Sequence, residues 1–324
     1  MSDLTLWSHR VKLAARHINP YIVRTPVLPS VRLSEETGHP VWLKCEQFQP
    51  SGAFKLRGAA NALLARTSEE RQHGTITYST GNHGLAVAYM GRQLGIPSTI
   101  CISTRVPEAK VKALRETGAR LVIQGDSQDD AKQVAENIAR TNRLIMIEPF
   151  DDADVIAGQG TVGLEILAQL PDAGTVLVPL SGGGLISGIS AFIKAQRPDI
   201  RVVGVSMDQG AVMYESLRRG HPVEMPEVSS LADSLQGGIG VNNRFTFQMV
   251  REYVDDIIVV TEEEIGQAMA ILGQQGLIVE GAGAVGVAAL FHHLELRGSI
   301  VAVLTGRNVS LSAFCRIIEH YGSR

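Results

Sequence analysis

The sequence predicts an α/β fold with parallel sheet, a larger domain carrying a smaller inserted one, and three observations point there. From Gly74 onward, short apolar runs alternate with helical patterns of ten or more residues, the rhythm of βαβ units. Runs such as Thr175 to Leu180 are apolar throughout, as strands buried on both faces are. The chain is 324 residues long, beyond the size at which one hydrophobic core stops growing.

Taken in order, Val11, Ala14, Ala15 and Ile18 mark a first helix. Thr25-Pro26-Val27-Leu28-Pro29 reads as turn, and Val41 to Glu46 as strand. A helix is expected from about Lys55, where Phe54, Leu56, Ala60, Leu63 and Leu64 recur at helical spacing. Strands follow at Thr75–Thr80, Ser98–Ser103, Leu121–Gln124 and Leu144–Glu148, with helices at Asn82–Leu94, Pro107–Thr117 and Ala131–Arg140 between them. The block 74–143 is self-contained and is expected to be the smaller domain, inserted into a larger one made of 1–73 and 144–324. In that second part, Asp154 to Leu170 is helical although Gly158, Gly160 and Gly163 weaken the pattern. Thr175–Leu180, Arg201–Ser206, Ile257–Thr261 and Val301–Thr305 are strands, and residues 210–243 read as turns and short helices. Thr261 with Glu264 forms a capping box for the next helix.

Composition narrows the function classes. A net charge of −3 makes no electrostatic case for binding nucleic acid or an acidic membrane. No apolar run reaches 18 residues, and the first ten residues lack a signal-peptide core. Cys45, Cys101 and Cys315 are odd in number and far apart, which argues against a disulfide framework or a zinc motif and for a reduced, cytoplasmic setting. No metal site is expected. His292 and His293 are adjacent and cannot form a ligand pair on one helix face.

Four stretches could carry chemistry. Lys55 sits among small and apolar residues at a strand-to-helix junction. Alone it reads as an ordinary solvated lysine, but shielding there would lower its pKa and free the amine as nucleophile or base. Ser181-Gly182-Gly183-Gly184 lies between a buried strand and a helix, where converging N–H groups and the helix dipole bind phosphate. Gly182, Gly184 and the following Asp208 also allow a dinucleotide reading, although the third glycine falls at Gly188, out of register. Ser79-Thr80-Gly81-Asn82-His83-Gly84 offers hydroxyls, an amide and first-turn N–H groups for a carboxylate and a ring oxygen, or else a plain N-cap. Thr305-Gly306-Arg307-Asn308 closes the last strand, where open α/β sheets place ligands.

These four motifs, in this order and with Ser51-Gly52-Ala53-Phe54-Lys55-Leu56-Arg57-Gly58 as the first, resemble over nearly the whole length the threonine dehydratase and serine racemase family of pyridoxal-phosphate enzymes, fold type II. Asp151 to Glu165, Leu231 to Gly240 and Thr305 to Asn308 look most similar to the hydroxyectoine-utilisation dehydratase branch. The resemblance implies two open twisted sheets flanked by helices, like the tryptophan synthase β-subunit, with the site between them. It implies a Schiff base between Lys55 and pyridoxal 5'-phosphate, Phe54 in the cofactor cleft, and Asn82 on the ring hydroxyl. Ser181, Gly182, Gly183, Gly184 and Leu185 would hold the phosphate, and Thr305 would face the ring nitrogen. Ser79, Thr80, Gly81, Asn82 and His83 would surround the substrate carboxylate. It also implies a homodimer.

The activity implied is an ammonia-lyase acting on a β-hydroxy amino acid such as L-threonine or L-serine. Lys55 is the general base and the cofactor is the electron sink. Thr305, a neutral hydroxyl, cannot keep the ring nitrogen protonated, which favours elimination over transamination. Thr80 stands where the racemases have serine, so racemisation with Lys55 and Thr80 on opposite faces is the second reading. Ser206 and Val212 replace the racemases' acidic metal ligands, and Ala131 replaces a substrate arginine. The sequence to Arg324 carries no stretch resembling the regulatory domain of biosynthetic threonine dehydratases, so a catabolic enzyme is expected. A nicotinamide-dependent dehydrogenase using Asp208 and a non-catalytic cofactor carrier are the more distant alternatives.

Overall fold

The computed structural model describes residues 3–79, 81–106, 108–292 and 295–322. The expected helix start at Pro107, the second histidine of the pair at His293, and Thr80 lie outside them.

The strands are β1 Val27–Pro29, β2 Val41–Cys45, β3 Thr75–Tyr78, β4 Ser98–Ile102, β5 Arg120–Ile123, β6 Ile145–Met146, β7 Ala173–Pro179, β8 Arg201–Met207, β9 Asp256–Val260 and β10 Ser299–Leu304. They form a six-stranded sheet in the order β1-β2-β10-β7-β8-β9 and a four-stranded sheet in the order β5-β4-β3-β6. Every pairing is parallel except β1 with β2, so both sheets are flanked by helices as expected. β10, the last strand in sequence, sits between β2 and β7. Parallel strands end on one edge, so the residues after β2, β7 and β10 all gather there, where open α/β sheets bind ligands.

Several local readings change. The turn at Thr25–Pro29 contains β1, an edge strand where a proline without N–H is tolerated. A helix at Val31–Thr37, capped by Ser30 and closed by Gly38 at φ 71°, follows it unforeseen. β6 pairs with β3, so the smaller sheet runs past residue 143 to Met146. The helix Ala153–Gln169 forms in spite of its glycines because close packing requires them. A Cβ at Gly158 would lie 2.4 Å from the Arg57 carbonyl oxygen, and one at Gly160 2.8 Å from that of Gly188. The helices Lys55–Leu64 and Gly184–Gln196 therefore press against it nearly backbone to backbone. The Thr261 capping box is present.

Behind the Lys55 helix lies a charged cluster sealed from water. The Arg57 guanidinium makes paired bonds to Glu46 (2.7 and 2.8 Å) and to Glu165 (2.7 and 2.9 Å). Lys44 Nζ donates to Glu165 at 2.6 Å, and Thr25 Oγ1 to Glu46 at 2.5 Å. Arg57, Lys44 and Glu46 are all fully buried. Burial disfavours the Glu46 carboxylate, but Arg57 and then Lys44 outweigh it and hold its pKa below the usual range. A fork-shaped cation satisfying two carboxylates at once is what makes such burial tolerable.

Candidate active site

The Lys55 helix starts where the chain leaves β2 through a single 3₁₀ turn, Glu46–Phe48, and then a loop with Gly52 at φ 79°. That left-handed turn is needed for closeness as well as direction, since a Cβ at Gly52 would meet Asn308 Oδ1 at 2.3 Å. The half-buried Lys55 amine donates to the Pro149 carbonyl oxygen at 2.6 Å and lies 5.3 Å from the centre of the Phe54 ring. Burial, with no carboxylate to oppose it, pushes its pKa down to about 8. A useful fraction of the amine is therefore unprotonated near neutral pH.

Phe150, next to the lysine's carbonyl partner, packs on the glycine loop. A Cβ at Gly182 would lie 2.5 Å from the Phe150 ring, and one at Gly184 2.8 Å from the Phe150 carbonyl oxygen. Gly183 adopts φ 87° and opens the helix Gly184–Gln196, with Leu185 buried in its first turn. Three glycines are thus imposed by phenylalanine and backbone on one side and by positive φ in the middle. The result is bare N–H groups at the start of a 13-residue helix, a cradle for phosphate. Ser181 is half-buried at its rim.

Thr305 follows β10 directly at 3% exposure, and its carbonyl accepts from the Phe54 N–H at 3.0 Å. Asn82 opens the helix Asn82–Leu94, with its amide between Glu280 (2.5 Å) and Asn308 (2.6 Å). Asn308 also donates to the Ser51 carbonyl oxygen at 3.0 Å. Motifs far apart in sequence are thus joined by direct contacts: Ser51 to Asn308 to Asn82, Phe54 to Thr305, and Lys55 through Pro149 and Phe150 to Gly182.

The remaining carboxylate-binding candidates are placed as follows. Ser79 Oγ accepts from the Gly81 N–H at 3.3 Å, and a Cβ on Gly81 would enter open space. The His83 ring is turned into the protein at 2% exposure, with Nε2 at 3.0 Å from the Ile147 carbonyl oxygen. Burial, and then the charge of Lys55, push its pKa down to about 3. It stays neutral, and what it can offer a carboxylate is its first-turn backbone N–H. Thr80 lies outside the described residues. Asp208, the acid of the dinucleotide reading, is exposed at the end of β8. Gly188, its third glycine, packs against Ile156 and Gly160 of the neighbouring helix.

Glu280 was not singled out from the sequence. Its signal is a lone charge inside the apolar and small run Leu277-Ile278-Val279-Glu280-Gly281-Ala282. Buried at 4% exposure, it has its pKa pushed up to about 7 by desolvation.

Residues 18–306 match the family described as pyridoxal-phosphate dependent enzyme. The chain belongs to that family. The lysine, glycine cradle, Asn82 and Thr305 described above fit the group its members use. The chain is 46% identical over 322 residues to a putative threonine dehydratase of Sinorhizobium fredii, covering 98% of this chain and 96% of that one. It is 41% identical to an L-threonine ammonia-lyase of Thermotoga maritima, over 95% of this chain and 77% of that one. Among solved structures, maize serine racemase superposes with a TM-score of 0.90 at 33% identity, over 97% of both chains. The nicotinamide reading gives way to this match.

Proposed function

We propose that the protein is a pyridoxal-phosphate-dependent ammonia-lyase that converts a β-hydroxy amino acid, such as L-threonine or L-serine, to a 2-oxo acid and ammonia. The observation that carries this is the Lys55 amine, brought down to about 8 and set beside a glycine cradle at a helix start. The relatives in Sinorhizobium and Thermotoga support the substrate class.

Pyridoxal phosphate supplies an electrophilic aldehyde for amines and an electron sink for the α-carbon. The backbone N–H groups from Ser181 to Leu185 hold its phosphate. Asn82 would bond the ring hydroxyl, Thr305 would meet the ring nitrogen, and Phe54 would line the cleft. The substrate carboxylate would lie against Ser79, Gly81, Asn82 and His83, held by the Ser79 hydroxyl and first-turn N–H groups, with Thr80 as a further candidate from the sequence. Lys55 Nζ is the amine that would hold the aldehyde and, once free, would take the α-proton as general base. The β-hydroxyl leaves as water, and one water is taken up when the carbon–nitrogen bond is hydrolysed, so substrate equals 2-oxo acid plus ammonia. A neutral Thr305 hydroxyl keeps the sink weak and favours prompt loss of the β-substituent.

The same reading places the site between a larger domain and a smaller one, expected at 74–143 and extended through β6 to Met146. It takes the enzyme as a cytoplasmic homodimer, and its branch as hydroxyectoine utilisation on the strength of Asp151–Glu165 and Leu231–Gly240. Lys55→Ala should cut 2-oxo acid release by at least about 10³-fold. Unchanged release from every β-hydroxy amino acid tested would sink the lysine's role. A serine-type racemase is the second reading, favoured by the maize likeness. Deuterium entry at the α-carbon with inversion, and no ammonia, would select it.

A further inference from the structure

Three polar side chains from separate segments close a ring at the start of the Asn82 helix. Asn82 Nδ2 donates to Glu280 Oε1 at 2.5 Å, and Asn308 Nδ2 donates to Asn82 Oδ1 at 2.6 Å. The Asn308 backbone N–H donates to Glu280 Oε2 at 3.1 Å. The ring is tied to the strand turns on both sides. The Glu280 N–H donates to the Gly306 carbonyl oxygen at 3.0 Å, and Asn308 Nδ2 also donates to the Ser51 carbonyl oxygen.

We propose that Glu280 and Asn308 are positioning residues that lock the Asn82 amide in one orientation, so that it presents the bound cofactor with a donor rather than an acceptor. The proposal rests on the reading of Asn82 as the contact of the ring hydroxyl. An amide nitrogen carries two N–H bonds. Glu280 takes one and leaves the other free. Were the amide reversed, Oδ1 would face the Glu280 carboxylate and Nδ2 would face the Asn308 nitrogen, so both neighbours would repel it. Each alone biases the amide; together they over-determine it.

The arrangement also has a pH dependence built in. Both Glu280 oxygens accept N–H bonds, the pattern of an ionised carboxyl, while burial favours the neutral form and sets the two against each other at about 7. Asp233 and Lys110 are the charged groups that bear on it from neighbouring segments. Asp233 raises the pKa, Lys110 lowers it, and the two are paired to each other at 2.6 Å. A protonated Glu280 can donate as well as accept. It then no longer opposes the reversed amide, and Asn308 alone does. The lock loosens as pH falls through the Glu280 transition.

The test uses the full chain loaded with pyridoxal phosphate, comparing wild type with Glu280→Gln, Asn308→Ala, Asn308→Asp and Asn82→Ala. Two readouts apart from turnover are taken: the cofactor Kd from titration of the apo protein, and visible absorbance of the loaded protein against pH. A glutamine at 280 must set an NH₂ group against one of two N–H donors, and an aspartate at 308 would set its carboxylate against Asn82 Oδ1. Each is expected to raise Kd about tenfold, and Glu280→Gln to remove an absorbance change near neutral pH that wild type shows. Asn308→Ala is expected to give a smaller rise. Asn308 is exposed, so its variants fold and decide the question even if Glu280→Gln does not. If Asn82→Ala binds the cofactor like wild type with the same spectrum, the reading of Asn82 itself falls. If Asn82→Ala weakens binding while the other variants keep wild-type Kd and pH profile, the lock is overturned.

Discussion

Two buried carboxylates, Glu46 beneath Arg57 and Glu280 beside Asn82, behave in opposite ways. Glu46 is fully buried, yet two hydrogen bonds from Arg57, with Lys44 nearby, hold it ionised below the usual carboxylate range. Glu280 is nearly as buried, but its hydrogen-bond partners are the neutral N–H groups of Asn82 and Asn308, and its pKa rises to about 7. Burial alone pushes both upward; the partner decides the outcome. The cationic cluster supports the helix that carries the lysine and keeps Glu46 ionised at neutral pH. The amide ring gives a group that titrates where enzymes work.

The largest effect expected from breaking this contrast is at Arg57. Arg57→Met leaves Glu46 and Glu165 facing each other with only Lys44, and should cost about 3–5 kcal/mol, read as a lower urea midpoint. Arg57→Lys should rescue little, because a single ammonium cannot reproduce two bidentate pairs. Glu280→Gln is predicted to cost less, about 1–3 kcal/mol, while changing the cofactor readouts that Arg57 variants reach only by unfolding.

The pH dependence of stability separates the two sites by sign. The pKa of Glu46 is depressed on folding, so its contribution is present above the unfolded value and is lost as pH falls through the folded one. That of Glu280 is raised from 4.5 to about 7, so folding holds a proton that the unfolded chain has released. Its contribution is full below the unfolded value and is lost as pH rises towards about 7. Thermal unfolding of Glu280→Gln should therefore lack the fall in stability that wild type shows from about pH 4.5 to 7. An equal fall in both proteins would assign it elsewhere. The smallest effect belongs to Asp233→Asn. Its ion pair with Lys110 is exposed and contributes less than about 1 kcal/mol, but its loss should move the Glu280 transition to lower pH in the absorbance profile.

Much of the fold is legible because local rules and tertiary demands agree. The helices at Lys55 and Asn82 start where spacing places them, although Gly81 rather than Asn82 is the N-cap of the second, and the Thr261 capping box forms as read. Disagreement marks the places where packing overrules propensity. The glycines of Ala153–Gln169 weaken a helix in isolation and permit one when two neighbours press on it. The helix Gly281–Ala288 is made wholly of small and apolar residues, all buried, and so shows no periodic face to read. β1 is three residues long and exists only because β2 pairs with it. In the site, the cofactor-facing motifs could be found because glycine runs and a lysine at a strand end have few structural uses. Glu280, Arg57, Glu46 and Lys44 could not, because a charge in a sequence looks alike whether it is solvated, paired or stranded.

By itself, then, the sequence determined the parallel α/β class, the order of its βα units, and the four motifs that make a lysine and a phosphate cradle. Tertiary structure alone decided the strand order that inserts β10 between β2 and β7, the edge at which the motifs meet, and the charge state of each buried carboxyl. The reason is one of range. Helix capping and side-chain periodicity act within a few residues and leave a local trace, whereas strand pairing, desolvation and ion pairing depend on neighbours that the chain delivers from more than a hundred residues away, as Glu165 is to Lys44 and Arg57.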